Sequence, residues 1–279
     1  MMLIVPGGAV ACKSREEHFG GSFRAPFSSA TLLSVTNPLR DAPAPLPQET
    51  IEALAYLRGH LVPEVSGEDA IRTPKVAWKA KVLYQCLVRR ALDAADGTVL
   101  GWNADNLLTA ITMARSLVET AAALFDLSEN LSKAVSRGSL DEADAILMAR
   151  MFAWKKAPGV AEDIPASTNV LTLIDRLDDW LKQRGASAAI IRAFYEDVSE
   201  FVHPNNLGIA QIYTDNDYAK RSVSFRPTEQ TRAGLYDQIK SALGLLSVAK
   251  LAVVQFETLL PEIVRLNLLV MTPTAKPQG

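Results

Sequence analysis

Residues 107–137, LLTAITMARSLVETAAALFDLSENLSKAVSR, decide the fold. Six apolar residues recur in this stretch in alternating steps of four and three positions. At 3.6 residues per turn, this spacing places all six side chains on one face of an α-helix. We therefore predict a long helix from just after Asn103 to Arg137, with a break near Ser128 as the alternative. The six residues are Leu107, Ile111, Ala114, Val118, Ala121 and Phe125.

A second apolar seam of the same period lies near the C-terminus. Further apolar residues flank it, so its apolar side is wider than a two-stranded coiled coil needs. We therefore predict a helix in the interior of a bundle, interrupted at Pro261. The seam residues are Leu235, Ile239, Ala242, Leu246, Ala249, Val253, Phe256 and Leu260, and the flanking residues are Leu243, Leu245 and Val254.

The remaining periodicity predicts an all-α fold, an up-and-down helical bundle of about six or seven helices. Before the C-terminal helix, alternating apolar residues near 209–213 and 223–225 predict a small β-hairpin or an ordered loop. We expect this hairpin to lie on the helices, because an isolated hairpin is only marginally stable. The other predicted helices cover residues 48–61, 68–95, 139–158, 168–184 and 187–203, with stop or cap signals at Asp96-Gly97, Ser139, Thr168 or Asn169, Gly185 and Pro204.

The predicted domain organisation has three parts. Residues 1–47 contain scattered glycine, serine and proline and end in a run of alternating prolines, which predicts an irregular arm. Residues 48–270 form the helical bundle domain, and residues 271–279 form a flexible tail.

Composition excludes several classes of protein. The net charge of −2 gives no general attraction to nucleic acid or to an anionic membrane. Two cysteines cannot build a disulfide framework, so we expect a cytoplasmic protein with no membrane span. The sequence lacks a phosphate-binding loop, a dinucleotide-binding glycine motif, a His-Glu-x-x-His pair and a nucleophile elbow. We expect no cofactor and, with three histidines, no metal site.

The helix before Pro204 carries a polar stripe. Arg192, Glu196, Ser199 and His203 follow one another at intervals of four, three and four residues and share one face. This stripe lines a cleft in one interpretation. In the other it is a solvated face that ends with a histidine at the helix C-terminus, where the helix dipole favours imidazolium.

Arg115 and Glu119 form a second candidate pair, one turn apart on the helix of residues 107–137. The pair adjoins the apolar seam and so can contribute to a pocket. The simpler interpretation is a surface ion pair worth roughly 0.3 kcal/mol.

Two segments together resemble a known group of proteins. The segments are ARSLVE at 114–119 and YEDVSEFVHP at 195–204. Their combination resembles uncharacterised bacterial helical proteins related to the HEPN group, over roughly residues 102–260. The resemblance implies a helical protein of abortive infection, toxin–antitoxin systems or RNA cleavage.

One departure from the HEPN pattern bears on catalysis. HEPN ribonucleases carry an arginine separated from a histidine by four to six residues, and the corresponding positions before His203 hold Glu196, Asp197 and Val198. None of these supplies the guanidinium that would organise a phosphate. We therefore lean away from an enzyme. If it is one, we expect a ribonuclease-like activity at a non-standard site that contains His203, Arg115, Glu119 and Ser199.

A basic helix is the third candidate. From residue 70 to 92 the chain has six basic and no acidic residues. Arg72, Lys75, Lys79 and Arg90 share one side of the helical wheel, where they can hold a nucleic-acid backbone. The alternative is an ordinary solvated face.

Two functional hypotheses follow. In the first, a HEPN-like protein of bacterial stress or phage defence binds RNA or a nucleotide. In the second, a noncatalytic helical bundle binds a partner protein or forms a homodimer through the C-terminal seam. The first hypothesis requires the basic helix and the His203 stripe to face the same cleft.

Overall fold

A computed structural model describes residues 39–42, 44–67, 75–152, 168–187 and 189–271. Within these ranges the chain forms eight α-helices and one two-stranded antiparallel hairpin, which confirms the predicted all-α bundle with a small hairpin. The helices are α1 Gln48–Gly59, α2 Lys75–Asn103, α3 Leu107–Ser136, α4 Leu140–Phe152, α5 Val170–Lys182, α6 Ile190–Val202, α7 Glu229–Gly244 and α8 Leu246–Met271. A π-helical segment Leu207–Gln211 and the strands β1 Asp215–Asp217 and β2 Ser222–Ser224 lie between α6 and α7.

Helix α3 is the centre of the bundle. It packs against α2, α4, α5, α6, α7 and α8. All six seam residues predicted on it are buried, and the helix has no break at Ser128, which is itself buried. The apolar stripe of α3 therefore forms part of the buried core, as expected for an amphipathic helix.

Polar side chains cap several helices. The side chains of Asn106, Ser139 and Asn169 accept backbone N–H groups at the starts of α3, α4 and α5. Helix α6 is capped from outside, because the carboxylate of Asp178 on α5 accepts the N–H groups of Ile191 and Arg192, both at 2.8 Å. The predicted caps at Ser139 and Asn169 are therefore confirmed.

The predicted end of α2 at Asp96-Gly97 is wrong. The helix continues to Asn103 because its two glycines serve close packing against α3. A Cβ atom on Gly97 would lie 2.9 Å from the Met113 side chain, and one on Gly101 would lie 2.6 Å from the backbone nitrogen of Ala110. Glycine at these positions lets two backbones approach, which outweighs its poor helix propensity.

The predicted placement of the hairpin is also wrong in two respects. Residues 207–213 are helical, so the first strand lies later in the chain, at Asp215–Asp217, while the second strand, Ser222–Ser224, lies close to its predicted position. Every residue from 215 to 226 is exposed or partly exposed, and the strands make few contacts with the helices. The hairpin therefore projects from the bundle instead of lying on it.

The C-terminal seam is broken at Leu245 and not at Pro261. Leu245 donates its N–H to the carbonyl oxygen of Ala242, a tight turn that separates α7 from α8. Helix α8 continues through Pro261, which is exposed and lacks an N–H group. Leu260 is partly buried and the other seven seam residues are buried, so the seam belongs to the bundle interior and is not available for the proposed dimer interface.

The last part of the predicted arm is irregular but anchored. Leu39 and Leu46 are buried in the core, and the carbonyl oxygen of Arg40 accepts the indole N–H of Trp102 at 2.9 Å. The rest of the arm at 1–38, the tail after residue 271, the loop of residues 159–167 and Arg72 lie outside the described residues.

Two helical stretches, Leu107–Ser136 and Glu229–Leu266, are long and apolar enough to cross a membrane by length and composition alone. In the most apolar windows of these stretches, 56% and 39% of the residues are buried inside the protein. Core helices of soluble proteins have the same length and composition, and α3 occupies that position here. A soluble bundle is therefore a plausible interpretation of both helices.

Candidate functional site

Arg115 and Glu119 are joined by a third side chain that the sequence analysis did not include in the site. Tyr195 of α6 accepts hydrogen bonds from Nε and Nη2 of Arg115, at 3.2 and 2.9 Å. Its hydroxyl donates to Oε1 of Glu119 at 2.8 Å, and the same Glu119 oxygen pairs with Nε of Arg115 at 3.2 Å. The pair is therefore more than the surface ion pair of the simpler interpretation, because it fastens α6 to α3.

Burial determines the protonation state of Tyr195 in this cluster. Tyr195 is 4% exposed, and burial is the main cause that raises its pKa above the ordinary value. The phenol keeps its proton near neutral pH and remains a donor to Glu119. The three side chains form hydrogen bonds with one another, so the cluster links α6 to α3.

Ser199 and His203 do not join this cluster through any described hydrogen bond or ion pair. The Ser199 hydroxyl donates to the carbonyl oxygen of Tyr195 one turn earlier in its own helix, at 2.6 Å. His203 is exposed at the C-cap of α6. Arg192 pairs with Asp175 at 2.8 Å and with Glu196 at 2.6 Å. The stripe therefore matches the solvated interpretation at both of its ends.

The basic residues of α2 are divided between two places. Lys79 is bound to Asp144 of α4 at 2.6 Å, and Lys75 and Lys79 line a cavity with Arg137 at the C-terminal end of α3. This end of α3 is roughly 30 Å along the helix axis from Arg115. The two lysines therefore do not face the Arg115 cluster.

Arg90 does lie beside that cluster. Its Nε donates to the hydroxyl of Thr120 at 3.2 Å, and its Nη2 donates to the hydroxyl of Ser116 at 3.3 Å. Ser116 and Thr120 directly follow Arg115 and Glu119 in the chain, so the two guanidinium groups occupy adjacent sides of the same turns of α3. Among the described residues, Arg90 has hydroxyl partners and no carboxylate partner.

The projecting hairpin carries a solvent-exposed aromatic surface that the sequence analysis did not single out. Tyr218 and Phe225 are each 87% exposed, and Val223 is 51% exposed. Arg221 at the turn adopts a left-handed φ of 51° and is exposed. Two further cations of the hairpin are paired, Lys220 with Asp217 at 3.0 Å and Arg226 with Asp215 at 3.6 Å.

A cavity between α1, α2 and α8 was also missed. Two of its polar residues, His60 and Glu257, are almost 200 positions apart, so no sequence spacing could have brought them together. The only signal in the sequence was that His60 is one of three histidines in the chain.

Among the described residues, no group of three or more histidine, cysteine, aspartate or glutamate side chains is arranged to hold a metal ion. Comparison of the chain with protein-family models, with curated proteins and with solved structures gave no match.

Proposed function

We propose that the protein binds single-stranded RNA through the projecting hairpin, and not through the cleft that the sequence analysis required, and that it does not cleave the RNA. The observation that carries this proposal is the projecting hairpin, on which two aromatic rings, Tyr218 and Phe225, are almost fully exposed beside three cations. Large apolar side chains are rarely left in water in such a group unless they meet a partner. The setting in bacterial stress or phage defence rests on the HEPN resemblance alone.

RNA suits this surface for two physical reasons. Exposed aromatic rings stack on unpaired bases, and each stacked base contributes about 1–3 kcal/mol. Lys220, Arg221 and Arg226 outnumber the two carboxylates of the strands, so the hairpin is locally cationic in an acidic molecule. Arg90 provides a further guanidinium without a described carboxylate partner, on another part of the bundle.

Binding without cleavage is favoured by the state of the candidate catalytic residues. The Ser199 hydroxyl is engaged by its own helix, and Arg115 and Glu119 are engaged by Tyr195. His203 is exposed and makes no described side-chain contact with them. General acid–base catalysis needs a group that can reach the proton it transfers, and in this set only His203 is not already engaged by another described side chain or by its own helix.

The experiment is a fluorescence anisotropy titration of a labelled 12-nucleotide single-stranded RNA with the full chain. We expect binding that weakens by about tenfold or more when Tyr218 and Phe225 are both replaced by alanine. Phe152→Ala is the matched control, because Phe152 is also a half-exposed aromatic residue but lies on α4. Absence of binding by the parent protein, or equal loss in the control, would remove the proposal.

Cleavage is tested on the same RNA by gel electrophoresis with Mg²⁺ or Mn²⁺. We expect intact RNA from the parent protein and from His203→Ala. Cleavage that disappears in His203→Ala would restore the nuclease hypothesis.

The second candidate function is a noncatalytic module for protein interaction or dimerisation. It is favoured by the same exposed apolar residues and by the unpaired outer edges of the two strands, which can extend a sheet. Light scattering after size exclusion distinguishes the two candidates. A dimer that becomes a monomer in the Tyr218 and Phe225 variant, together with no RNA binding, supports this second candidate.

We propose that either activity takes place in the cytoplasm. The support is chemical, because Cys86 is an exposed free thiol, a group that a reducing compartment preserves.

A further inference from the structure

A groove of about 430 Å³ lies between α6 and α7. Both helices pack against α3 but make few contacts with each other, so a gap is left between them. A space of this volume is within the range that holds small organic ligands. The lining of this α6–α7 groove is mainly apolar. The apolar lining residues are Ile190, Ile191, Ala193, Phe194 and Leu245.

Each of the two helices contributes one carboxylate to the groove. Asp197 of α6 and Asp237 of α7 both line it, and both are exposed, so a bound molecule can reach them. Neither takes part in a hydrogen bond or an ion pair with another described residue. Exposed aspartates are ionised near pH 7. The other polar lining residues, Gln238 and Ser241, are neutral, so the groove carries the negative charge of its two carboxylates.

Among the described residues, the cations of α6 and α7 do not neutralise this charge. Arg192 of α6 and Arg232 of α7 are both paired with carboxylates outside the groove, and Lys240 of α7 does not line it. The groove therefore combines an apolar lining with negative charge. A phosphate backbone would be repelled here, so the groove differs in chemistry from the cationic hairpin.

We propose that the α6–α7 groove binds a small organic cation, an apolar body that carries a protonated amine. The apolar body is removed from water against the lining of the groove. The ammonium group has three N–H donors and no acceptor, so it suits the carboxylates of Asp197 and Asp237. A neutral molecule of the same shape lacks this attraction, and an anion is repelled.

Two probes with the same indole body test the role of charge. Near pH 7 tryptamine carries an ammonium group where tryptophol carries a hydroxyl group. Each is titrated into the full chain, and the methyl NMR signals of Ile190, Ile191 and Leu245 report binding. We expect tryptamine to bind about two- to tenfold more tightly at low salt, the value of one or two exposed ion pairs. The preference should decrease in about 1 M NaCl, because salt screens exposed charges.

Asparagine removes each charge with little change of shape. The double variant Asp197→Asn and Asp237→Asn should therefore lose the preference for tryptamine while tryptophol binds as before. The matched control combines Asp141→Asn with Asp179→Asn, which removes the same net charge from exposed positions outside the groove. Its preference should be that of the parent protein.

Failure of both probes to shift the three methyl signals overturns the groove as a ligand site. Equal affinity for the two probes, a preference that salt does not reduce, or a preference that survives the loss of both groove carboxylates overturns the recognition of a cation.

Discussion

Replacing Gly101 by alanine should destabilise the protein, although alanine is the better helix former. The new Cβ atom would lie 2.6 Å from the backbone nitrogen of Ala110 and 3.0 Å from its Cα atom. Neither atom can rotate away, so α2 and α3 must separate. We expect an overpacking cost near the upper end of about 1–3 kcal/mol, against a gain of about 1 kcal/mol in helix propensity. The net loss in the free energy of unfolding should be about 2 kcal/mol.

Gly234→Ala provides the matched control within α7. Nothing lies within 4 Å of a Cβ atom at that position, so only the propensity gain remains. We expect Gly234→Ala to stabilise the protein by up to about 1 kcal/mol. Urea unfolding followed by circular dichroism at 222 nm measures both variants. If Gly101→Ala were as stable as the parent protein, the close approach of α2 and α3 would be refuted.

Three further changes test the bundle. Asp126→Asn should cost about 3 kcal/mol, because the buried Asp126 carboxylate pairs with Arg150, whose side chain is 19% exposed; a loss under about 0.5 kcal/mol in urea unfolding would contradict this. Asp178→Ala should cost about 1–2 kcal/mol by uncapping α6, while the exposed neighbour Asp179→Ala should be nearly neutral. Unfolding between about pH 9 and 11 tests Tyr84: an unfolded tyrosine loses its proton near pH 10 and buried Tyr84 does not, so stability should fall with rising pH by up to about 1.4 kcal/mol per pH unit. Tyr84→Phe should remove that contribution, and an unchanged slope would count against it.

The sequence predicted the parts of the fold that depend on local periodicity. The buried face of α3 follows directly from its four-three spacing, and the caps at Ser139 and Asn169 follow from the hydrogen bonds that those side chains can make. Gly97 misled the prediction because glycine signals both a helix end and a close contact between helices. Only the position of Met113 on another helix distinguishes the two.

The candidate site was less accessible to sequence analysis. Tyr195 completes the cluster of Arg115 and Glu119 across 76 or more positions, and Tyr56 meets Glu257 across 201. Such contacts depend on how the helices are arranged around α3, which periodicity does not encode. We expected the hairpin to lie on the helices because an isolated hairpin is only marginally stable. Its exposure to solvent depends on the arrangement of the helices, which the sequence pattern does not show.

Photo-crosslinking tests the central claim most directly. The full chain is irradiated with a 12-nucleotide RNA that contains 4-thiouridine, and mass spectrometry identifies the crosslinked peptides. We expect crosslinks within residues 213–226 and intact RNA in the presence of Mg²⁺. Crosslinks confined to the helices, with none on the hairpin, would contradict the account.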